Sequence, residues 1–101
     1  MTQIESLVEI EFDERKLAYK LLFITINDYL DGKKVDNSNK EIAVKWLFNS
    51  DYKSEVSFSD VCKILFIDHN KLKFMLNDYK DRKKVWIKEV ELEKLLMICR
   101  K

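Results

Sequence analysis

The sequence lacks proline altogether and has a single glycine, Gly32, among its 101 residues. Compact β folds place glycine or proline in turns about every 8–12 residues, so this near absence argues against a sandwich or a barrel. Helices need neither residue, and both destabilise a helix interior. The composition therefore predicts an all-α fold, a compact bundle of about four to five helices that forms a single domain over residues 1–101.

Reactive and metal-binding side chains are also scarce, because the chain has one histidine, His69, and two cysteines, Cys62 and Cys99. These side chains cannot supply the three or four ligands of a metal site at a usable spacing. One glycine excludes a glycine-rich phosphate-binding loop, and no residue is placed to orient a nucleophile and a base. We therefore expect a protein that is not an enzyme and that binds no metal and no cofactor. Apolar surroundings predict that both cysteines are buried free thiols in a reducing compartment.

Long hydrophobic runs are missing as well. No apolar stretch approaches the roughly 18–20 residues that span a bilayer. The first fourteen residues hold five acidic side chains and no basic one, unlike the basic start of a signal peptide. We expect a cytoplasmic protein with no membrane contact.

The net charge of +1 conceals a segregation of charge along the chain. Residues 1–62 carry twelve acidic and eight basic side chains, whereas residues 63–88 carry eight basic and three acidic ones. A local cationic patch can bind a polyanion even when the whole protein is near neutral. The same lysines also suit an ordinary solvated surface, so charge alone does not decide between these interpretations.

Apolar spacing and capping signatures predict where the helices begin and end. Apolar residues recur at three- and four-residue intervals from Ile4 to Leu30, which indicates one long helix or two helices broken near Glu11–Asp13. The pair Asp31-Gly32 is typical of a helix end. A polar loop over residues 33–39 follows.

Two capping boxes, Ser38–Glu41 and Ser57–Asp60, predict the starts of the next two helices. Asp68 is placed to cap a fourth helix, and the leucine-rich C-terminal stretch predicts a fifth. Residues 83–87 leave one alternative open, a short strand.

Residues 57–77 carry a specific arrangement of small and apolar positions. Two helices that cross steeply need a small residue at the crossing, apolar neighbours, a hydrophobe after the turn, and two more on the second helix. Val61, Cys62, Leu65, Ile67, Leu72 and Met75 occupy these positions. The segment thus resembles the helix-turn-helix superfamily. One position departs from it, since Phe66 stands where the turn usually has glycine. Either Phe66 adopts a strained positive φ or the turn opens differently.

A wider stretch, residues 43–76, resembles a segment of small bacterial and phage proteins of unassigned function. In those proteins a Trp-containing helix and a Phe-Ser-Phe-like stretch precede a Val-Cys helix and a Leu-rich helix. This resemblance implies a bacterial or phage setting, and it implies no activity.

The helix-turn-helix resemblance implies a DNA-binding transcriptional regulator, whose helix near 69–80 enters the major groove of duplex DNA. Its outer face would contact bases through His69, Asn70, Lys73, Phe74 and Asn77, and the cations Lys71, Lys80, Arg82, Lys83 and Lys84 would contact phosphates. A homodimer is expected, because one short helix contacts few base pairs. The alternative is a non-enzymatic adaptor of a phage or mobile element, in which the helix pair is only a scaffold and the acidic N-terminus contacts a partner protein.

Overall fold

The computed structural model describes residues 3–30, 37–49 and 51–101, with side chains from residue 14 in the first range and from residue 38 in the second. These residues form five helices and no strand, which confirms the all-α prediction. In chain order they are α1 Gln3–Leu30, α2 Asn37–Phe48, α3 Phe58–Leu65, α4 His69–Asp81 and α5 Glu89–Cys99.

Helix α1 is the element against which most of the other helices pack. Helix α1 has 28 residues, about 42 Å at 1.5 Å per residue, and so accounts for most of the 49 Å long dimension of the molecule. It is continuous, so the alternative of a break near Glu11–Asp13 is wrong. Its buried face packs against α2, α3 and α4. That face consists of Ala18, Leu22, Ile26, Tyr29 and Leu30. The predicted stop at Asp31-Gly32 lies outside the described residues.

The second helix begins earlier than its sequence signature predicts. Because α2 already includes Asn37, Ser38 lies within the helix and is not its N-cap. The apolar side of α2 buries Ala43, Trp46 and Leu47. The Trp46 indole satisfies its polar group by donating from Nε1 to the Val56 carbonyl at 2.8 Å, and its ring meets Phe58 edge-on at 5.4 Å. Trp46 therefore joins α2 to the start of α3.

The alternative of a short strand at 83–87 is wrong, because this segment joins α4 to α5 without pairing to a strand among the described residues. The reason lies in Asn27, a buried α1 residue with 3% of its surface exposed. Its Oδ1 accepts from the Ile87 N–H at 2.9 Å, and its Nδ2 donates to the Ile87 carbonyl at 3.2 Å. A side chain thus satisfies the backbone groups that a strand partner would have bonded.

Both cysteines are buried and free, as the sequence predicts. Burial raises the pKa of the Cys62 thiol to about 12 and also raises the pKa of Cys99. Both thiols are consequently protonated near neutral pH, and a protonated thiol is a poor nucleophile. They act as small apolar groups within the hydrophobic core.

Candidate nucleic-acid interface

The start of α3 is fixed by its own sequence. The predicted capping box forms, since the Ser57 Oγ accepts from the Asp60 N–H at 3.1 Å and the Asp60 carboxylate accepts from the Ser57 N–H at 3.4 Å. Behind this cap, Phe58, Val61 and Cys62 are buried. The eight-residue helix is therefore oriented by a polar cap at one end and by an apolar face along its length.

The turn after α3 has a left-handed residue, which is one of the two alternatives that the sequence left open. Phe66 has φ 57° and ψ 47°. Its N–H donates to the Lys63 carbonyl at 3.3 Å, and the Ile67 N–H donates to the Cys62 carbonyl at 2.9 Å. This pair of bonds is a Schellman motif, which normally has glycine at the left-handed position. The chain makes the tight turn with phenylalanine and leaves 62% of that side chain exposed.

The last residues of the chain form backbone hydrogen bonds with the turn between α3 and α4. The Asp68 N–H donates to the Cys99 carbonyl at 2.7 Å, and the Lys101 N–H donates to the Phe66 carbonyl at 3.0 Å. Between them, Ile67 and Arg100 form an isolated antiparallel bridge. The backbone of the turn is therefore bonded on both sides, to α3 and to the end of the chain.

Asp68 is the N-cap of α4. Its Oδ1 accepts from the N–H groups of Asn70 at 3.0 Å and Lys71 at 3.3 Å. These two backbone bonds, that of Lys71 first, hold the pKa of the Asp68 carboxyl below its usual value. One side of α4 is anchored in the core through Leu72 and Leu76. Its opposite side is consequently turned to solvent.

Three of the five residues predicted to contact bases lie along that solvent side. Asn70, Phe74 and Asn77 follow one another at four- and three-residue spacing, and each is exposed. Phe74 is the most exposed large apolar side chain among the described residues, at 73%. Asp81 continues the same line at the end of the helix, so the uncharged part of the line covers 70–77.

The other two predicted base contacts lie on an adjacent side of α4. His69 and Lys73 are half-buried and line a groove with Trp46, Tyr52 and Phe58. The Lys73 ammonium lies 5.7 Å from the centre of the Phe58 ring, within cation–π range. These two side chains are therefore directed toward α3 and the end of α2.

The five residues predicted to contact phosphates differ in what else they contact. Lys80 donates from Nζ to the Tyr29 carbonyl at 2.8 Å near the end of α1, where a cation also suits the helix dipole. Lys84 pairs with Glu91 at 2.6 Å and lies 5.6 Å from the Tyr79 ring. Both lysines hold elements of the fold together.

Arg82, Lys71 and Lys83 are the exposed members of the set. Arg82 pairs with Asp78 at 3.1 Å, with 76% of the arginine side chain accessible. Lys83 has φ 60° and ends α4 in a second Schellman motif, through bonds from the N–H groups of 83 and 84 to the carbonyls of 80 and 79. Lys71 and Lys83 thus mark the two ends of the solvent side of α4.

Two cations that sequence reasoning missed lie beside the turn. Arg100 and Lys101 are exposed, and their backbones pair with the residues that precede α4. The sequence did not single out these two cations, because residues 89–101 carry equal numbers of acidic and basic side chains. Only the packing of the chain end places them beside the turn. With Lys71 they surround the start of α4 with positive charge.

Two further features concern metal binding and membrane insertion in the described part of the chain. No group of three or more histidine, cysteine or acidic side chains there is arranged to hold a metal ion. Of the helices described, none combines the length and the apolar character needed to cross a membrane. In comparisons with known proteins, no family model, no curated protein and no solved structure matches this chain.

Proposed function

We propose that the protein binds duplex DNA with α4 as its recognition helix. The observation that carries this proposal is the solvent side of α4, where Asn70, Phe74 and Asn77 form an uncharged line between exposed cations. Asparagine can bond adenine through two hydrogen bonds, and an aromatic ring can contact the methyl group of thymine. An α-helix fits the width of the major groove, so this side of α4 would face the base edges there.

The cations give the electrostatic part of the proposal. Lys71, Arg100 and Lys101 lie at one end of α4, and Arg82 and Lys83 lie at the other. Phosphate contacts at both ends of a recognition helix fix its register, while the side chains between them read the bases. Asp78 and Asp81 oppose this attraction, so we expect modest affinity that depends strongly on salt.

The proposal includes a homodimer and a role in transcription. One α4 of 13 residues reads only a few base pairs, and a pair related by a two-fold axis doubles the site. A phage or bacterial regulator is the setting that the resemblance of residues 43–76 implies.

The experiment is fluorescence anisotropy with a labelled duplex of random sequence, titrated at several salt concentrations. We expect a dissociation constant in the micromolar range near 50 mM salt, which weakens steeply as salt rises. The double variant Lys71→Glu/Lys83→Glu should bind at least about tenfold more weakly and lose roughly two units of the log–log salt slope. Neither residue has a side-chain contact that maintains the fold, unlike Lys84.

The matched control is Lys45→Glu, an exposed charge reversal on α2 away from the proposed surface. It should bind within about twofold of the unmodified protein. Absence of binding at low salt, or an equal loss in the control and the double variant, would overturn the proposal.

Base reading is tested separately by selecting preferred sequences from a random duplex library. Asn70→Ala and Phe74→Ala should relax the selected sequence while they retain the salt slope, because neither side chain is charged. If both variants select the same sequence as the unmodified protein, α4 is not the reading element.

A further inference from the structure

A second surface, remote from α4, has an apolar floor that nothing in the described chain covers. It is a groove of about 440 Å³ between α1 and α3. Leu17 and Leu21 contribute from α1, Ile64 from α3 and Val56 from the connection before α3. Leu17 is 66% exposed and Val56 41% exposed. Grouped apolar exposure of this kind marks a binding surface more often than an ordinary one.

This groove adjoins another of about 310 Å³ between α1 and α2, with which it shares Leu21, Glu55 and Val56. The α1 side of the combined depression runs from Glu14 to Asp28, at three- and four-residue spacing along one helix face. That distance is about 21 Å along the helix axis, the length of roughly 14 residues of an incoming helix. The dimensions therefore suit a helix laid beside α1.

The rim of the depression is acidic. Glu14, Asp28, Glu55 and Asp60 line it, against the single base Lys63. Asp28 lies in the half-buried part, and burial raises the pKa of its carboxyl. Cations spaced along an incoming segment would be attracted by the carboxylates nearest to them, and one beside Asp28 would compensate the lost hydration of that carboxyl.

We propose that this depression, the acidic groove, docks a basic amphipathic helix of a partner protein. Apolar side chains of that helix at i, i+3 or i+4, and i+7 occupy the floor formed by Leu17, Leu21 and Val56. Its lysine or arginine side chains lie against the acidic rim. Helix-in-groove recognition combines an apolar stripe for affinity with flanking charge for orientation.

A second copy of this chain is a poorer occupant by charge. The first fourteen residues carry five acidic side chains and no basic one, so the start of α1 from another copy would bring further negative charge to the acidic rim. Like charges on the two surfaces would repel. The acidic groove also shares no residue with the proposed DNA surface, so the two proposals stand or fall separately.

The probe is a synthetic helix of about 14 residues with leucine on one face and lysine on the other. Its binding is measured by anisotropy and mapped by the amide chemical shifts of the labelled protein. We expect shifts concentrated along α1 from 14 to 28 and around 55–64. A peptide with the same leucines but glutamate in place of lysine should bind at least about tenfold more weakly.

Two pairs of variants separate the acidic groove from general attraction to an acidic protein. The double variant Glu14→Lys/Glu55→Lys reverses the charge of two rim residues. The double variant Leu17→Ser/Val56→Ser replaces two apolar residues of the floor with polar ones. Each double variant should weaken peptide binding about tenfold or more. The matched controls on α5, Glu89→Lys/Glu93→Lys and Val90→Ser, should stay within about twofold. All the variants change exposed side chains, and circular dichroism verifies that each one folds.

Three outcomes would overturn the proposal. The first is equal loss in the control variants, and the second is shifts that map to another face. The third is a dimer, detected by sedimentation, that Leu17→Ser dissociates. In that case a second copy of the chain would be the occupant of the acidic groove.

Discussion

The α3–α4 pair and the segment after it are fixed in different ways. The pair is organised by neighbours in sequence: Ser57 with Asp60, Phe66 with Lys63, and Asp68 with Asn70 and Lys71. The segment from 84 to 101 is held by contacts that are distant in sequence, such as the bonds from Asn27 to Ile87 and from Lys101 to Phe66. Local chemistry therefore forms the helix pair, whereas long-range contacts decide what surrounds it.

This difference matters for the proposed function. The line of Asn70, Phe74 and Asn77 depends mainly on the α4 cap and on the apolar residues Leu72 and Leu76, which are close in sequence. One long-range contact adds to it, since the Tyr29 hydroxyl donates to the Asn77 Oδ1 at 3.3 Å. The cations at the start of α4 depend on where α5 and the chain end pack. If the proposed DNA binding is correct, base reading would depend mostly on residues close in sequence, and phosphate binding would depend partly on the packing of the whole fold.

The largest expected effect comes from breaking a long-range contact. Asn27→Ala removes both bonds to Ile87 and leaves a buried N–H and a buried carbonyl without a partner. Each such group costs about 1–3 kcal/mol, so the free energy of unfolding should fall by roughly 2–5 kcal/mol. Urea denaturation followed by circular dichroism measures it.

The control is Asn39→Ala, an exposed position in α2 where alanine suits the helix and the change should be within about 0.5 kcal/mol. A loss below about 1 kcal/mol for Asn27→Ala would mean that water replaces the asparagine, and the segment would then not depend on α1.

Sequence reasoning succeeded where the determinants are local. The prediction of four to five helices and the Ser57 and Asp68 caps follow from residue type and spacing within a few positions. At Phe66 the same spacing left two alternatives, of which the positive φ is the one observed. The Ser38 box failed because such a signature does not exclude a helix that starts two residues earlier, at Asn37 instead of Asn39. The strand alternative failed because Asn27, 60 residues away, bonds the backbone that strand pairing would use.

The candidate site was only partly predictable for the same reason. The exposed side of α4 follows from helical periodicity, which identifies Asn70, Phe74 and Asn77. The roles of Lys73 and Lys80 depend on Phe58 and Tyr29, whose positions are tertiary facts. The acidic groove gave no signal either, because it combines residues from α1, α2, α3 and the connection between α2 and α3.

A smaller effect, of opposite sign, is expected in the turn. Phe66→Gly relieves a left-handed conformation that costs a non-glycine residue about 1 kcal/mol or more, and the exposed ring contributes little burial. Glycine also loses more chain entropy on folding, so the net gain should be about 0.5–1 kcal/mol. Thermal denaturation should show a raised melting temperature.

The matched variant is Phe74→Gly, which changes the same residue type at an exposed position inside α4. Glycine in a helix interior should cost about 1 kcal/mol, so the two substitutions should move stability in opposite directions. If Phe66→Gly destabilises the protein, the ring at 66 makes a contact that outweighs the conformational cost.

The smallest effects concern two carboxylates, Asp68 in the α3–α4 pair and Glu91 in the segment from 84 to 101. Backbone bonds from Lys71 and Asn70 lower the pKa of Asp68, whereas a bond from the Lys84 ammonium is the largest cause that lowers the pKa of Glu91. Because each folded pKa lies below its unfolded value, each carboxylate stabilises the fold above about pH 4, and this contribution is lost as pH falls through the folded pKa. Asp68→Asn and Glu91→Gln should each flatten the decrease in stability between about pH 6 and pH 3.

Salt then distinguishes the two carboxylates. The Glu91 contribution arises mainly from an exposed ion pair, which about 0.5 M salt screens, so Glu91→Gln should have a smaller effect in high salt. The Asp68 contribution arises mainly from short hydrogen bonds to the first amides of α4, which salt screens less, so Asp68→Asn should retain most of its effect. Asparagine still caps the helix, so Asp68→Ala should be less stable than Asp68→Asn at every pH above about 4. Equal salt dependence for Asp68→Asn and Glu91→Gln would mean that the start of α4 is stabilised by charge pairing rather than by its own backbone.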